Sequence, residues 1–346
     1  GRMVHVPECA AWIWDARPYP FFPELTGIWT DGPNWRLGHW LTGRLGAVSL
    51  AALVRHLCLR AGLAEDLIDV TGLWGAVEGY AITALESPRA SITTLSRHFG
   101  FDAVELAAGP DFDVRERFTE IERASAASGL PVSDICTHPI HDPLHPEGAE
   151  RIQRLSVLKD LLAAAEALGA RGVVSVPVRP PVMFTDVPWA ERYTMLKTRF
   201  VETFTHWATE LPEGQSALFL EPLNRYEAYF LTHVGQAVEI SRAIGSPRIL
   251  ALADLFHMNI EEAHLGKPLE EAGKALGHVH IADNNRFEPG AGCLDFRPAF
   301  RALKAIGYDG YLSIECWSPD GARLSGEAHV VLPHTVAHLR HEWDVA

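Results

Sequence analysis

From residue 78 onward, short apolar runs alternate with longer amphipathic stretches. The runs cover 79–83, 102–106, 131–136, 172–176, 217–221, 249–254, 277–281 and 311–315, and most are continuous rather than alternating. Continuous apolar runs of this length are expected of parallel strands covered on both faces. Helices are predicted between them. One runs from Ser87-Pro88 to about 99, and others over 113–128, 148–168, 189–210, 232–244, 260–276 and 296–306, with a last one over 328–343. Gly169 and Gly245 stand where two of these helices should stop. Eight strand–helix units in 269 residues predict a closed (β/α)8 barrel (a TIM barrel), whose site lies at the C-terminal ends of the strands. A doubly wound open sheet is the alternative, but no G-x-G-x-x-G turn follows an early strand.

The first 77 residues have another texture, and we divide the chain into an irregular Trp/Pro-rich extension or small domain (1–77) and a barrel domain (78–346). Six of the ten tryptophans lie in the extension, and its R-P-Y-P-F-F-P segment cannot be a regular helix. D-G-P-N reads as a turn, and 49–60 as an amphipathic helix. The tryptophans fit internal packing, a partner surface or a sugar-stacking platform.

Charge narrows the field. There are 30 basic residues against 44 acidic ones, a net of -14, which argues against binding nucleic acid through its phosphates. Five scattered cysteines form no C-x-x-C pair, so neither a disulfide scaffold nor a cysteine-rich zinc site is expected, and a reducing, cytoplasmic setting fits. Neither a membrane span nor a signal peptide is expected.

The chemistry is at the strand ends. The apolar runs deliver Glu221, Asp254, His280 and Glu315 at intervals of 33, 26 and 35 residues, each about one strand plus one returning helix. Single polar residues at strand ends often only cap loops. Four consecutive ones should converge on the barrel mouth as three carboxylates and one imidazole. That set should favour a hard divalent cation, Mn2+, Co2+ or Mg2+, with Zn2+ open. Without a cation the carboxylates would raise one another's pKa by repulsion. His257 and Arg286 sit just beyond two strand ends, placed to hold substrate oxygens whose charge changes. Glu227 is placed either to bind a terminal hydroxyl of a polyol or to pair with Arg225 or another loop base, and Asp295 reads as a helix N-cap. A cation between Glu221 and Glu315 would polarise a sugar's carbonyl and hydroxyl oxygens. One glutamate could then remove a carbon-bound proton while the other returns one, by way of an enediolate. This is epimerisation, or isomerisation if the proton returns to the neighbouring carbon.

L-E-P-L-N-R-Y-E at 220–227, D-L-F-H-M-N-I-E-E at 254–262, H-I-A-D-N-N-R-F-E-P-G at 280–290 and S-I-E-C-W at 313–317 resemble the xylose-isomerase-like barrel superfamily. The likeness spans about 130–346 and is nearest to the ketose 3-epimerases of the tagatose/psicose type and their sugar-phosphate isomerase relatives. It implies that Glu221, Asp254, His280 and Glu315 bind Mn2+ or Co2+ and that the two glutamates are the acid/base pair. It also implies that Glu227, His257 and Arg286 contact a small sugar or polyol, and that a homodimer is common. Leu255 replaces a usual threonine, and Cys293 stands where many relatives carry histidine. Relatives such as inosose dehydratase, hydroxypyruvate isomerase and the C-glycoside-cleaving lyases use similar metal shells and remain alternatives. Residues 8–105 also resemble a segment of phage and gene-transfer-agent baseplate-hub proteins, so a non-catalytic, phage-derived structural protein is the reading from a different class.

Overall fold

The computed structural model describes residues 99–109, 112–180, 182–184, 188–318, 321–322, 324–326 and 328–346. The expected strand at 79–83, the helices at 49–60 and from Ser87, the tryptophan-rich extension, the 77/78 boundary and most of the baseplate-like segment lie outside these residues.

Seven strands form one parallel sheet in sequence order: β1 Val104–Ala108, β2 Val132–Thr137, β3 Gly172–Ser175, β4 Ala217–Leu220, β5 Ile249–Asp254, β6 Leu276–Ile281 and β7 Leu312–Ile314. Each pairs only with its sequence neighbours, so the sheet curls into a TIM barrel with β1 and β7 at its ends among the described residues. Helices return the chain outside it: α1 Phe118–Ser128, α2 Gly148–Leu168, α3 Arg192–Thr209, α4 Val234–Ile244, α5 Leu255–Glu261, α6 Lys267–Ala272, α7 Arg297–Ala305 and α8 Ala328–Val345. No helix among the described residues is long and apolar enough to cross a membrane.

Local chemistry accounts for the boundaries. α2 and α4 stop at Gly169 and Gly245, whose φ of 71° and 72° is the left-handed conformation that glycine adopts without a Cβ clash. The single helix expected over 260–276 is instead two shorter ones, α5 and α6. Asp254 caps α5 directly at the strand end by accepting from Phe256 N at 2.8 Å, so helix begins five residues early. α6 then starts separately, with Pro268 in its first turn. α1 also starts later than expected, because Asp113 accepts from Arg115 N and pairs with its side chain in the preceding turn. A short hairpin, β8 Trp317–Ser318 with β9 Gly321–Ala322, was not anticipated.

Apolar packing falls into two shells. Leu218 and Leu220 of β4 join the large core between sheet and helices, where Phe200 and Phe204 stack at 4.1 Å. Ala217 and Phe219, on the opposite face, pack inside the barrel with Val174 and Leu252. The Phe219 ring fills the barrel floor because Gly172 and Gly277 present no side chain to it. A Cβ on Gly172 would lie 2.0 Å from the Ala217 carbonyl oxygen and 2.7 Å from the ring. Gly172→Ala is therefore expected to destabilise the protein by about 1–3 kcal/mol, read as a lower thermal midpoint. An unchanged midpoint would mean that β3 and β4 shift apart freely.

Candidate metal centre and active site

Above this apolar floor the inner face turns polar, and the ladder places the residues. Asp254 ends β5 and is in register with His280 on β6. Glu221 and Glu315 each lie one residue past a strand, yet both remain on the ladder. Glu221 N donates to Ser175 O at 3.1 Å, and Glu315 N donates to Ile281 O at 3.0 Å. Pro222 has no N–H with which to extend β4 further.

The four side chains converge. Each of Glu221, Asp254, His280 and Glu315 offers one ligand-type atom, and these atoms all lie within 4.8 Å of one another. His280 Nδ1 is 3.1 Å from Glu221 Oε1 and 3.6 Å from Glu315 Oε2. Glu221, Asp254 and His280 are buried, and Glu315 is about one-fifth exposed.

Electrostatics show a site built around positive charge. Burial raises the Glu221 pKa, and the nearby Glu315 and Asp254 carboxylates add to the rise. Burial also acts on Asp254, but Arg286, His257 and His280 outweigh it and hold that carboxyl well below the usual range. Glu315 is likewise low despite burial, because of Arg286 and His280. For His280 burial opposes the charged form, yet Glu105, Glu221 and Glu315 together push its pKa well above the ordinary value. Three carboxylates and an imidazole aimed at one point fit a hard divalent cation.

Arg286 braces the ring of acids. It donates to Asp254 Oδ2 at 2.8 Å and to Glu315 Oε2 at 2.7 Å, and its guanidinium lies over the Phe256 ring at 4.3 Å. Its φ of 63° is the one positive value among the described non-glycine residues, a local cost repaid by these contacts. His257 Nδ1 accepts from Asn224 N at 3.1 Å, which puts the ring proton on Nε2. That Nε2 is buried 3.3 Å from Asp254 Oδ2 and has no hydrogen bond, leaving a donor at the edge of the cradle. Asn224 also donates to Glu227 Oε1 at 2.8 Å. Arg225 instead pairs with Glu261 at 2.8 Å, so the alternative partner considered for Glu227 is taken elsewhere. Asp295 accepts from Arg297 N at 3.1 Å in the first turn of α7, one residue before the helix cap itself.

Sequence reasoning missed Glu105, Asp134 and His278, which lie directly beneath the cradle. The available signal was H-V-H at 278–280, since residues two apart on a strand share a face.

A parallel barrel with three carboxylates and an imidazole gathered at the ends of four successive strands defines the class. The family model described as xylose isomerase-like TIM barrel matches residues 94–340, and the chain belongs to that family. It is 30% identical over 226 residues to the 3-dehydro-D-guloside 4-epimerase of Escherichia coli, covering 63% of this chain and 83% of that one. It is 29% identical over 241 residues to the D-psicose 3-epimerase of Enterocloster bolteae, covering 67% and 77%. Among solved structures, 3-keto-D-glucoside 4-epimerase from E. coli superposes with a TM-score of 0.64 at 26% identity, covering 74% of this chain and 95% of that one.

In EDTA-treated protein, Mn2+ at about a hundred times its Kd should add roughly 2.7 kcal/mol of stability, seen as a raised thermal midpoint. A bound cation would compete with protons for His280, whose pKa the surrounding acids raise, so the affinity should strengthen as pH rises. Asp254→Asn should lose the effect. An equal rise in that variant would place the cation elsewhere.

Proposed function

We propose that the protein is a divalent-metal-dependent epimerase or isomerase of a ketose or related polyol, with Glu221 and Glu315 as its acid/base pair. The observation that carries this reading is the approach of both glutamates to His280 Nδ1, at 3.1 and 3.6 Å, in one cradle. The named relatives, a 4-epimerase and a 3-epimerase of sugars, support it. Glu221, Asp254, His280 and Glu315 would hold the metal, Mn2+ before Co2+, Mg2+ or Zn2+. When bound, that ion supplies Lewis-acid polarisation of the sugar's carbonyl and hydroxyl oxygens.

The chain's own residues do the rest. One glutamate carboxylate takes the proton from the carbon beside the carbonyl, and the C–H electron pair moves into the new C–C double bond of an enediolate. The other glutamate, protonated, delivers a proton to the opposite face and restores the carbonyl with inverted configuration. Arg286 and the free Nε2–H of His257 lie beside Asp254, where they can stabilise oxygens gaining charge. Glu227, steadied by Asn224, is placed to accept from a hydroxyl further along the substrate.

The test is solvent-deuterium exchange into fructose, tagatose, psicose, ribulose and a 3-keto glycoside. Incorporation at the carbon that inverts supports epimerisation, and incorporation at C1 or C2 of a ketose supports isomerisation. No exchange with any substrate sinks both and favours a lyase or dehydratase of the same family. Glu221→Gln and Glu315→Gln should each lower exchange by about 10²–10⁴-fold while the fold survives. Near-wild-type exchange in either variant would remove it from the pair.

A further inference from the structure

We propose that Glu105, itself held by His278, is a positioning residue that fixes the ring orientation of His280 and thereby sets the metal affinity of the cradle. The proposal rests on the metal reading above. It assigns a task to a cluster that the proposed chemistry does not use.

His280 presents its two nitrogens to different partners. Nδ1 faces the Glu221 and Glu315 carboxylates, while Nε2 lies 3.1 Å from Glu105 Oε1 and 3.3 Å from Oε2. Glu105 belongs to β1 and His280 to β6, strands that are not neighbours in the sheet, so the contact crosses the barrel interior. Glu105 Oε2 also lies 2.8 Å from His278 Nε2. The two imidazoles sit 5.1 Å apart at 88°, and one carboxylate bridges their Nε2 atoms. His278 stacks on Phe219 at 5.6 Å, which ties it to the barrel floor, and its Nδ1 lies 3.2 Å from Asp134 Oδ2 on β2. Asp134, His278 and His280 are all fully buried.

Proton accounting gives the cluster a direction. An ionised carboxylate only accepts, so both imidazoles must bring hydrogens on Nε2 to Glu105. That leaves His280 Nδ1 with its lone pair toward the cradle once the ring is neutral, the state a metal needs. It also leaves His278 Nδ1 an acceptor, and both that atom and the Asp134 carboxyl otherwise lack a hydrogen bond. A proton on Asp134 satisfies them together. Burial, with the Glu105 charge, pushes the Asp134 pKa up to about 9, so the carboxyl carries that proton at neutral pH. The chain therefore runs from Asp134 to His278 to Glu105, where it meets the hydrogen donated by His280. Glu105, His278 and His280 could instead grip a second cation, since their ligand atoms also lie within 4.8 Å of one another. The hydrogen-bond distances and the single tautomer pattern favour positioning.

The test is calorimetric titration of EDTA-stripped full-length protein with Mn2+. Wild type should take one equivalent. Glu105→Ala should weaken binding by about 10–100-fold, the cost of losing the outer partner of a histidine ligand. Glu105→Gln, which keeps an oxygen to accept from His280, should recover a substantial part of that loss. Ile240→Val, in the outer helical core, controls for mere destabilisation and should lower the thermal midpoint without changing the affinity. Wild-type affinity in Glu105→Ala would overturn the proposal, and so would two equivalents in wild type falling to one in Glu105→Ala, which would make Glu105 a ligand. Failure of wild type itself to bind would remove the metal reading and this proposal with it.

Discussion

Three carboxylates sharing one point, two of them buried, are the constraint around which the upper half of the barrel is arranged. Two unit charges about 4 Å apart repel by roughly 4 kcal/mol at an effective dielectric near 20. A single uncompensated pair would thus consume much of a stability that totals only about 5–15 kcal/mol. The compensation comes from two sides. His280 enters from the sheet and faces Glu221 and Glu315. Arg286 enters from the loop after β6 and grips Asp254 and Glu315 through separate nitrogens. Removing either cation exposes the acids to one another, which is why both are themselves so firmly held.

That firmness depends on what lies below. Phe219 occupies the barrel axis because two glycines yield space to its ring, and the resulting dry floor carries His278 on its face. Phe256 does the same for Arg286 at the rim. An aromatic plane under each cationic or imidazole group limits its rotation and excludes water, which strengthens the charge interactions above it. The polar cluster is therefore an extension of the packing rather than an interruption of it.

Most of this was legible where the signal is local. A continuous apolar run ending in Glu, Asp or His marks a strand and its exit together, so the four positions that converge could be read before the sheet was seen. Asp254 shows why capping and a place in the cluster need not compete: Oδ1 caps α5 while Oδ2 faces Arg286 and His257. The start of α5 was misplaced because apolar periodicity cannot show that a strand-end carboxylate also serves as a helix cap. Glu105 was not recognised because its partners lie 173 and 175 residues away across the barrel. Within D-A-V-E-L a charged residue in mid-strand looks solvent-facing, and only closure of the sheet turns it inward.

The two glutamates proposed as acid and base are chemically identical, yet their surroundings drive them apart. Burial raises Glu221, whereas Arg286 and His280 keep Glu315 low. Unequal surroundings of this kind are the usual way in which two like carboxyl groups come to differ in proton affinity. The asymmetry traces to a single loop residue held at positive φ, since Arg286 grips Glu315 but not Glu221. Substrate choice should depend on different parts of the chain. The cradle is built from largely buried strand ends, while the 224–227 segment carries Tyr226 at 80% exposure beside Glu227. Loops of this kind can be remodelled without disturbing the strand ends beneath them, which is how one barrel fold serves different substrates.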